Sequence, residues 1–279
     1  LPVLFVPGDV FANRAPDPVL QQVEDFGDGT ISANDCFKPV SRYFDRIMRA
    51  EQLLTALPRA MATLTDPADC GPVTLAFCQD VQAEAFDWPE SFFETKIWKT
   101  QRPRADLDQL DAAVAAIKAA KQPMIIAGGG VHYAGACDAL AEFAHRHNIP
   151  VGETQAGKSS MPWDDDLNLG SIGVTGASSA NAIAENADLI IAVGTRLQDF
   201  TTGSWALFKH PDRRILSINV AAYDAAKHNA IAVTGDAKIT LAEIGNMLGD
   251  YRAQAIDANL KSAWIAAVDK VTATPTGNA

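Results

Sequence analysis

"PMIIAGGGVHYAGACDALAEFAHRHNIPVGET" occupies residues 123–154. Its reading decides the fold. "PMIIA" is a short apolar run of the kind that forms a buried strand. Three glycines follow, and then a helical segment places Leu140 and Phe143 inward. "IPVGET" is a second strand. Strand, helix and strand within about 30 residues make a βαβ unit, and its two strands must run parallel. A parallel sheet needs cover on both faces, so more helices and strands should flank it.

The flanks supply them. "DLDQLDAAVAAIKAAK" (106–121) is an Ala-rich helix with Leu107, Leu110, Val114 and Ile117 on one face. "SSANAIAENA" (178–187) reads as a helix, and "DLIIAVG" (188–194), "RRILSINV" (213–220) and "AIAVTG" (230–235) read as strands. "DAKITLAEIGNMLGD" (236–250) closes the series with a helix capped by Asp236. The expected fold class is α/β. A doubly wound parallel sheet forms a Rossmann-like middle domain over 106–250, preceded by a partial α/β domain over 1–93. In that first part, "PVLFV" (2–6) and "GPVTLAF" (71–77) read as parallel strands. They flank a helix at 51–66, in which Leu53, Leu54, Leu57, Met61 and Leu64 recur at helical spacing and Pro58 should introduce a kink. Two such strands cannot cover both of their faces, so this segment is expected to be the end of a larger domain. Residues 94–105 read as a linker. Residues 251–279 read as a connection onward, with one helix around Trp264 and a frayed "TATPTGNA" end.

Composition narrows the function. The net charge is -11, with no Lys/Arg cluster, which removes the electrostatic footprint of a nucleic-acid binder. No apolar run reaches membrane-spanning length, and "LPVLFVPGDVF" lacks the basic start of a signal peptide. Four scattered cysteines without zinc spacing point to reduced thiols in a cytoplasmic protein.

The glycine loop has two readings. In a dinucleotide fold, G-x-G-x-x-G lets the backbone approach a pyrophosphate at a helix N-terminus. Gly128, Gly129 and Gly130 provide the first part, but Tyr133 stands at the third glycine position and argues against an NAD-dependent dehydrogenase. Glu153 stands where a ribose-binding acid could be, about 20 residues on. The other reading is a plain strand-to-helix turn. "GVTGASSANAIAENADLIIAVGTRLQDFTTG" (173–203) adds two loops near strand ends, Gly173 to Gly176 and Gly194-Thr195-Arg196. Arg196 could pair a phosphate, or it could anchor its own loop carbonyls. "FGDGT" (26–30) reads as a turn, because no asparagines follow at the distance that a magnesium–diphosphate motif requires. There is no G-x-S-x-G elbow. His145 and His147 read as solvated surface residues, and His132 and Tyr133 are better placed for a ligand.

The order of these segments resembles the thiamine-diphosphate-dependent enzymes, acetolactate synthase and glyoxylate carboligase among them. The likeness runs through "GPVTLAFCQDVQAEAF", the 123–176 region and "NADLIIAVGTRLQDFTTGSW". "FGDGTISANDCFKPVSRYFDRI" narrows it to the members that hydrolyse a cyclic 1,2-dione in inositol breakdown. Cys78 departs from the proline usual before "QDVQ", which bears on a turn and not on chemistry. The resemblance implies the end of a pyrimidine-binding domain, a whole middle domain, and a homodimer or homotetramer acting on a small molecule, a cyclic dione or a 2-oxo acid. It places the catalytic Glu before Leu1 and the Mg2+/diphosphate site after Ala279, leaving no catalytic or metal residue here and a chain inactive alone. It further implies that FAD or ADP, where a member binds one, would touch Gly128, Gly129, Gly130, Thr154, Gly157, Gly173, Gly176, Gly194, Thr195, Arg196 and Asn219. The alternative identity is thus an FAD- or ADP-binding module of a carboligase or decarboxylase. In the dione-cleaving members no flavin role is expected, because the hydrolysis involves no net redox change.

Overall fold

The computed structural model describes residues 1–15, 25, 27–257 and 259–273. Phe26 of the "FGDGT" turn and the end of the chain from 274 lie outside the described residues. The chain divides into two units, Leu1–Gln101 and Arg102–Ala279.

In the first unit the described strands are β1 (Leu4–Phe5), β2 (Gly8–Asp9), β3 (Tyr43–Ile47) and β4 (Val73–Cys78), and helix α1 spans Leu53–Thr65. All pairings are parallel. β4 is central: Leu4 and Phe5 register with Val73 and Thr74, and Gly8 and Asp9 with Phe77 and Cys78. β1 and β2 therefore line one edge of β4, with Pro7 between them, and Pro7 still accepts a bond from Phe77 N–H. β3 lies along the other edge. It was not legible as a strand, because "YFDRI" is only half-buried and carries two charges. Its Arg46 explains why it is there. The guanidinium bonds Asp9 at 2.7 Å, Asp35 at 2.8 Å, Ser32 Oγ at 2.9 Å and the Thr30 carbonyl at 3.2 Å. Asp9 is fully buried. α1 has Pro58 within it and covers the sheet mainly through Ala56 and Ala60, with Leu53, Leu57 and Leu64 only partly buried.

The second unit follows the expected alternation. Its elements are α2 (Leu107–Ala119), β5 (Pro123–Ala127), α3 (Gly129–Tyr133), α4 (Cys137–His147), β6 (Val151–Glu153), β7 (Asn168–Ser171), α5 (Ser178–Asn186), β8 (Leu189–Val193), α6 (Asp199–Thr202), β9 (Arg214–Asn219), α7 (Ala222–Ala226), β10 (Ile231–Thr234), α8 (Ala237–Leu248) and α9 (Asn259–Thr272). The sheet order is β10-β9-β8-β5-β6-β7, all parallel. Counted from its own first strand, this is the 3-2-1-4-5-6 order of a doubly wound sheet. Side chains alternate along each strand, so Ile125 and Ala127 face one core while Met124 and Ile126 face another. The first core holds residues of α2, α4 and α8, and the second holds residues of α5 with Trp264 of α9 against it. Each fully buried Ile or Leu contributes about 1.5–3 kcal/mol.

Some details differ from the sequence reading. β7 was not anticipated, because "NLGS" is short and half polar; its Asn168 side chain bonds the Met161 and Pro162 carbonyls. Leu107 is 74% exposed, and Ala113 and Ala116 take the inward positions on α2. His147 is buried, which corrects the surface reading. It lies seven residues after Leu140, on the same stripe as Phe143 and Ala144. Its Nδ1 is 2.8 Å from the Tyr251 carbonyl, and Ala253 N–H donates to the His147 carbonyl. Residues 251–253 are thereby tied to α4, and Lys261 of α9 bonds the Asp165 carbonyl. No helix among the described residues is long and apolar enough to cross a membrane.

Candidate functional site

β5 is the first strand of the second unit and lies at the middle of its sheet. The chain first builds outward through β6 and β7, then returns to the other side of β5 as β8. Between the carboxyl ends of β5 and β8 the winding reverses, and such a switch point is where doubly wound folds bind ligands.

The glycine loop and the Gly194 loop meet there. Gly128 N–H donates to the Val193 carbonyl and Gly130 N–H to the Gly194 carbonyl, both at 2.9 Å. A Cβ on Gly128 would stand 2.3 Å from the Gly194 oxygen, and one on Gly130 would stand 2.6 Å from Gly194 Cα. Gly194 itself has φ +59°. The glycines are thus required by the close approach of two backbones, so the turn reading accounts for them without a ligand. On the other side of β5, Thr154 N–H donates to the Ala127 carbonyl at 2.9 Å, and Thr154 Oγ accepts from Gly157 N–H at 3.1 Å. A Cβ on Gly157 would be 2.1 Å from the Ala127 oxygen. Asn219 donates to the Thr195 carbonyl at 3.4 Å, and Thr195 Oγ accepts from Leu197 N–H at 3.2 Å. Gly173 and Gly176 belong to a loop clamped by Asn181, whose amide bonds both Gly173 N–H and the Gly173 carbonyl. That clamp was missed, because an Asn inside a helix gives no pattern until the loop is folded back on it.

Among the candidate residues, Arg196 is different. It is exposed, and its guanidinium has no hydrogen bond or ion pair among the described residues. It does not anchor its own loop.

The neighbouring residues are also resolved. Glu153 is buried and accepts from Ser160 Oγ at 3.2 Å and Met161 N–H at 3.0 Å, so it organises its own loop and does not face a ribose. Tyr133 is 68% exposed and does not press on the sheet. What breaks the dinucleotide pattern is the length of α3, five residues, which ends before Gly135 at φ +56°. His132 Nε2 lies 2.9 Å from the Lys158 carbonyl, and its Nδ1 lies 3.6 Å from Cys137 Sγ. Burial, with the nearby Asp138 and Glu153 charges, raises the Cys137 pKa, so the thiol stays protonated. Burial and the Asp9 and Asp80 charges push Cys78 up to about 11. All four cysteines are free. Asp28 of "FGDGT" accepts from Thr30 N–H at 2.9 Å and Thr30 Oγ at 2.6 Å, closing a turn.

This architecture defines a class. Residues 110–244 match the model for the thiamine pyrophosphate enzyme central domain, and over that stretch the second unit is similar to the central domain of those enzymes. It is similar to the 3D-(3,5/4)-trihydroxycyclohexane-1,2-dione hydrolase of Geobacillus thermodenitrificans, 52% identical over 251 residues, which is 90% of this chain and 39% of the relative. The protein of the same name from Clostridium tetani is 52% identical over 248 residues, covering 89% and 38%. That from Bacillus licheniformis is 45% identical over 274 residues, covering 98% and 43%. The chain spans about two fifths of the length of these curated relatives.

Proposed function

We propose that this chain is part of a thiamine-diphosphate-dependent enzyme that hydrolyses a C–C bond of a cyclic 1,2-dione in inositol breakdown. One observation carries the reading: identity of 52% to relatives named for that hydrolysis extends over 90% of the chain, across both units. On this reading residues 1–93, within the first unit, are the end of a pyrimidine-binding domain, and residues 106–250, within the second unit, are the middle domain.

The described residues do not fit the cofactor itself. Among them no group of three or more His, Cys, Asp or Glu could hold a metal ion, and the Asp28 carboxylate is taken by Thr30. No chemical step through thiamine diphosphate and Mg2+ is therefore assigned to these side chains. They act as scaffold, and the remaining three fifths of a relative's length would supply the cofactor chemistry. The reading also carries a homodimeric or homotetrameric assembly and a cytoplasmic setting, to which the four free cysteines conform.

The test is a chimaera. The matching region of the Geobacillus relative is replaced by this chain and assayed for hydrolysis of trihydroxycyclohexane-1,2-dione with thiamine diphosphate and Mg2+. Retained turnover supports the proposal; a folded chimaera that binds the cofactor but leaves the dione intact overturns it.

A second reading, an FAD- or ADP-binding module at the switch point, is favoured by the Arg196 guanidinium just after β8, which has no partner among the described residues. A purified chain that releases no flavin or adenine nucleotide on denaturation, and shows no thermal shift with ADP, would end it.

A further inference from the structure

On the sheet edge opposite the switch point, the chain enters β9 at Arg214 and β10 at Ile231. A cavity of about 580 Å³ opens there, lined among others by Trp205, Arg213, Arg214, Ile215, His228 and Asn229. Its size is that of a small-molecule pocket. No carboxylate is among the lining residues. The Arg213 side chain is exposed and has no hydrogen bond or ion pair among the described residues. Arg214 gives one nitrogen to the Ala116 carbonyl at 3.2 Å and is held in place by it.

The walls show a second, independent feature. Trp205 has φ +69° and His228 has φ +61°, next to Ser204 at +51° and Asn229 at +54°. Bulky side chains rarely adopt the left-handed region, and such outliers gather at ligand sites. Here they set the Trp205 and His228 rings 4.5 Å apart at 61°. Two loops hold uncommon conformations, and both line the cavity.

We propose that this cavity binds a phosphomonoester joined to a flat ring, of the size of a nucleoside monophosphate. Two arginines in the lining, with no carboxylate among the lining residues, favour a doubly charged phosphate over a single carboxylate, and Arg forks match phosphate oxygens bidentately. The Trp205 indole offers a face for the ring, with Asn229 beside it to exchange hydrogen bonds. Nothing in this site is shared with the switch point, so the proposal stands apart from the enzymatic reading.

The test titrates the 279-residue chain with adenosine 5'-monophosphate by calorimetry, with adenosine and inorganic phosphate as separate arms. Saturable binding of the monophosphate, tighter than of either part, is expected. Arg213→Ala, at an exposed position, should weaken it about tenfold. Trp205→Leu should weaken it as well, with folding checked by circular dichroism, while Lys118→Ala, at an exposed position of α2 outside the cavity, should leave it unchanged. Failure to saturate at millimolar monophosphate, wild-type affinity in Arg213→Ala, or loss in Lys118→Ala alone would overturn the proposal.

Discussion

Gly135 and Gly194 have nearly the same φ, +56° and +59°, but different surroundings. A Cβ on Gly135 would meet nothing within 4 Å, whereas one on Gly194 would lie 2.6 Å from Gly130 Cα. Gly135→Ala should therefore cost only the left-handed penalty, about 1–2 kcal/mol. Gly194→Ala should add an overpacking cost of about 1–3 kcal/mol, because both colliding groups are backbone. Urea denaturation of the two variants checks the difference, and equal losses would refute the close-approach account. His147 provides a pH dependence. Burial, partly opposed by the Tyr251 carbonyl, lowers its pKa from 6.5. Above pH 6.5 it is neutral in both folded and unfolded chains, so its full stability is present. Below that the unfolded chain takes up a proton that the folded chain resists, and stability falls as pH drops through the lower folded value. Denaturation midpoints at about pH 7.5 and about pH 5.5 should show the loss, and His147→Gln should flatten the slope. The sequence reading put His147 at the surface, although its spacing from Leu140 is that of the buried stripe; its partner, the Tyr251 carbonyl, lies 104 residues away and left no local signal.

At the scale of elements, ends and buried charges decide stability. Asp236 was legible as the cap of α8, and its carboxylate accepts from Lys238 N–H at 3.1 Å and Ile239 N–H at 3.2 Å. It also pairs with Arg102 at 2.9 Å, a contact across 134 residues that no local pattern announces. Asp236→Ala should cost about 0.5–2 kcal/mol, read by thermal or denaturant unfolding. β3 depends on Arg46 in a different way. Removing the guanidinium in Arg46→Met would leave Asp9, fully buried, without its cation. A loss of about 3–5 kcal/mol is expected in the first unit. Adding Asp9→Asn should recover part of it; a single variant as stable as the wild type would refute the role. β3 escaped the sequence reading because half-burial with interior charge leaves neither an apolar run nor strict alternation.

At the scale of the molecule, the two units are joined by a stretch without regular structure. Residues 94–101 are exposed and contain Lys96 and Lys99. From Arg102 on, the chain is bonded to the second unit, since Arg102 reaches Asp236 and the Ala134 carbonyl, and Asp236 N–H donates to the Pro103 carbonyl. Brief trypsin treatment should cut at Lys96 or Lys99 and leave a resistant fragment that begins near Gln101, identified by mass. Early cuts within β5 to α8 instead would contradict this account.

The sequence by itself determined the period of each segment, and with it the parallel sheet of the second unit. Apolar runs joined by amphipathic helices can only be buried as βαβ layers. It also placed the Gly128–Gly130 and Gly194–Arg196 loops at strand ends. Only the tertiary structure decided what those loops do. Whether a glycine serves a ligand or a neighbouring backbone depends on what occupies the space of its missing Cβ, and here that is residue 194, brought to residue 128 by the sheet order. The same holds for the cavity between Trp205 and His228. Its walls are 23 residues apart in a stretch with no motif, and they meet because β9 and β10 are neighbours in the sheet.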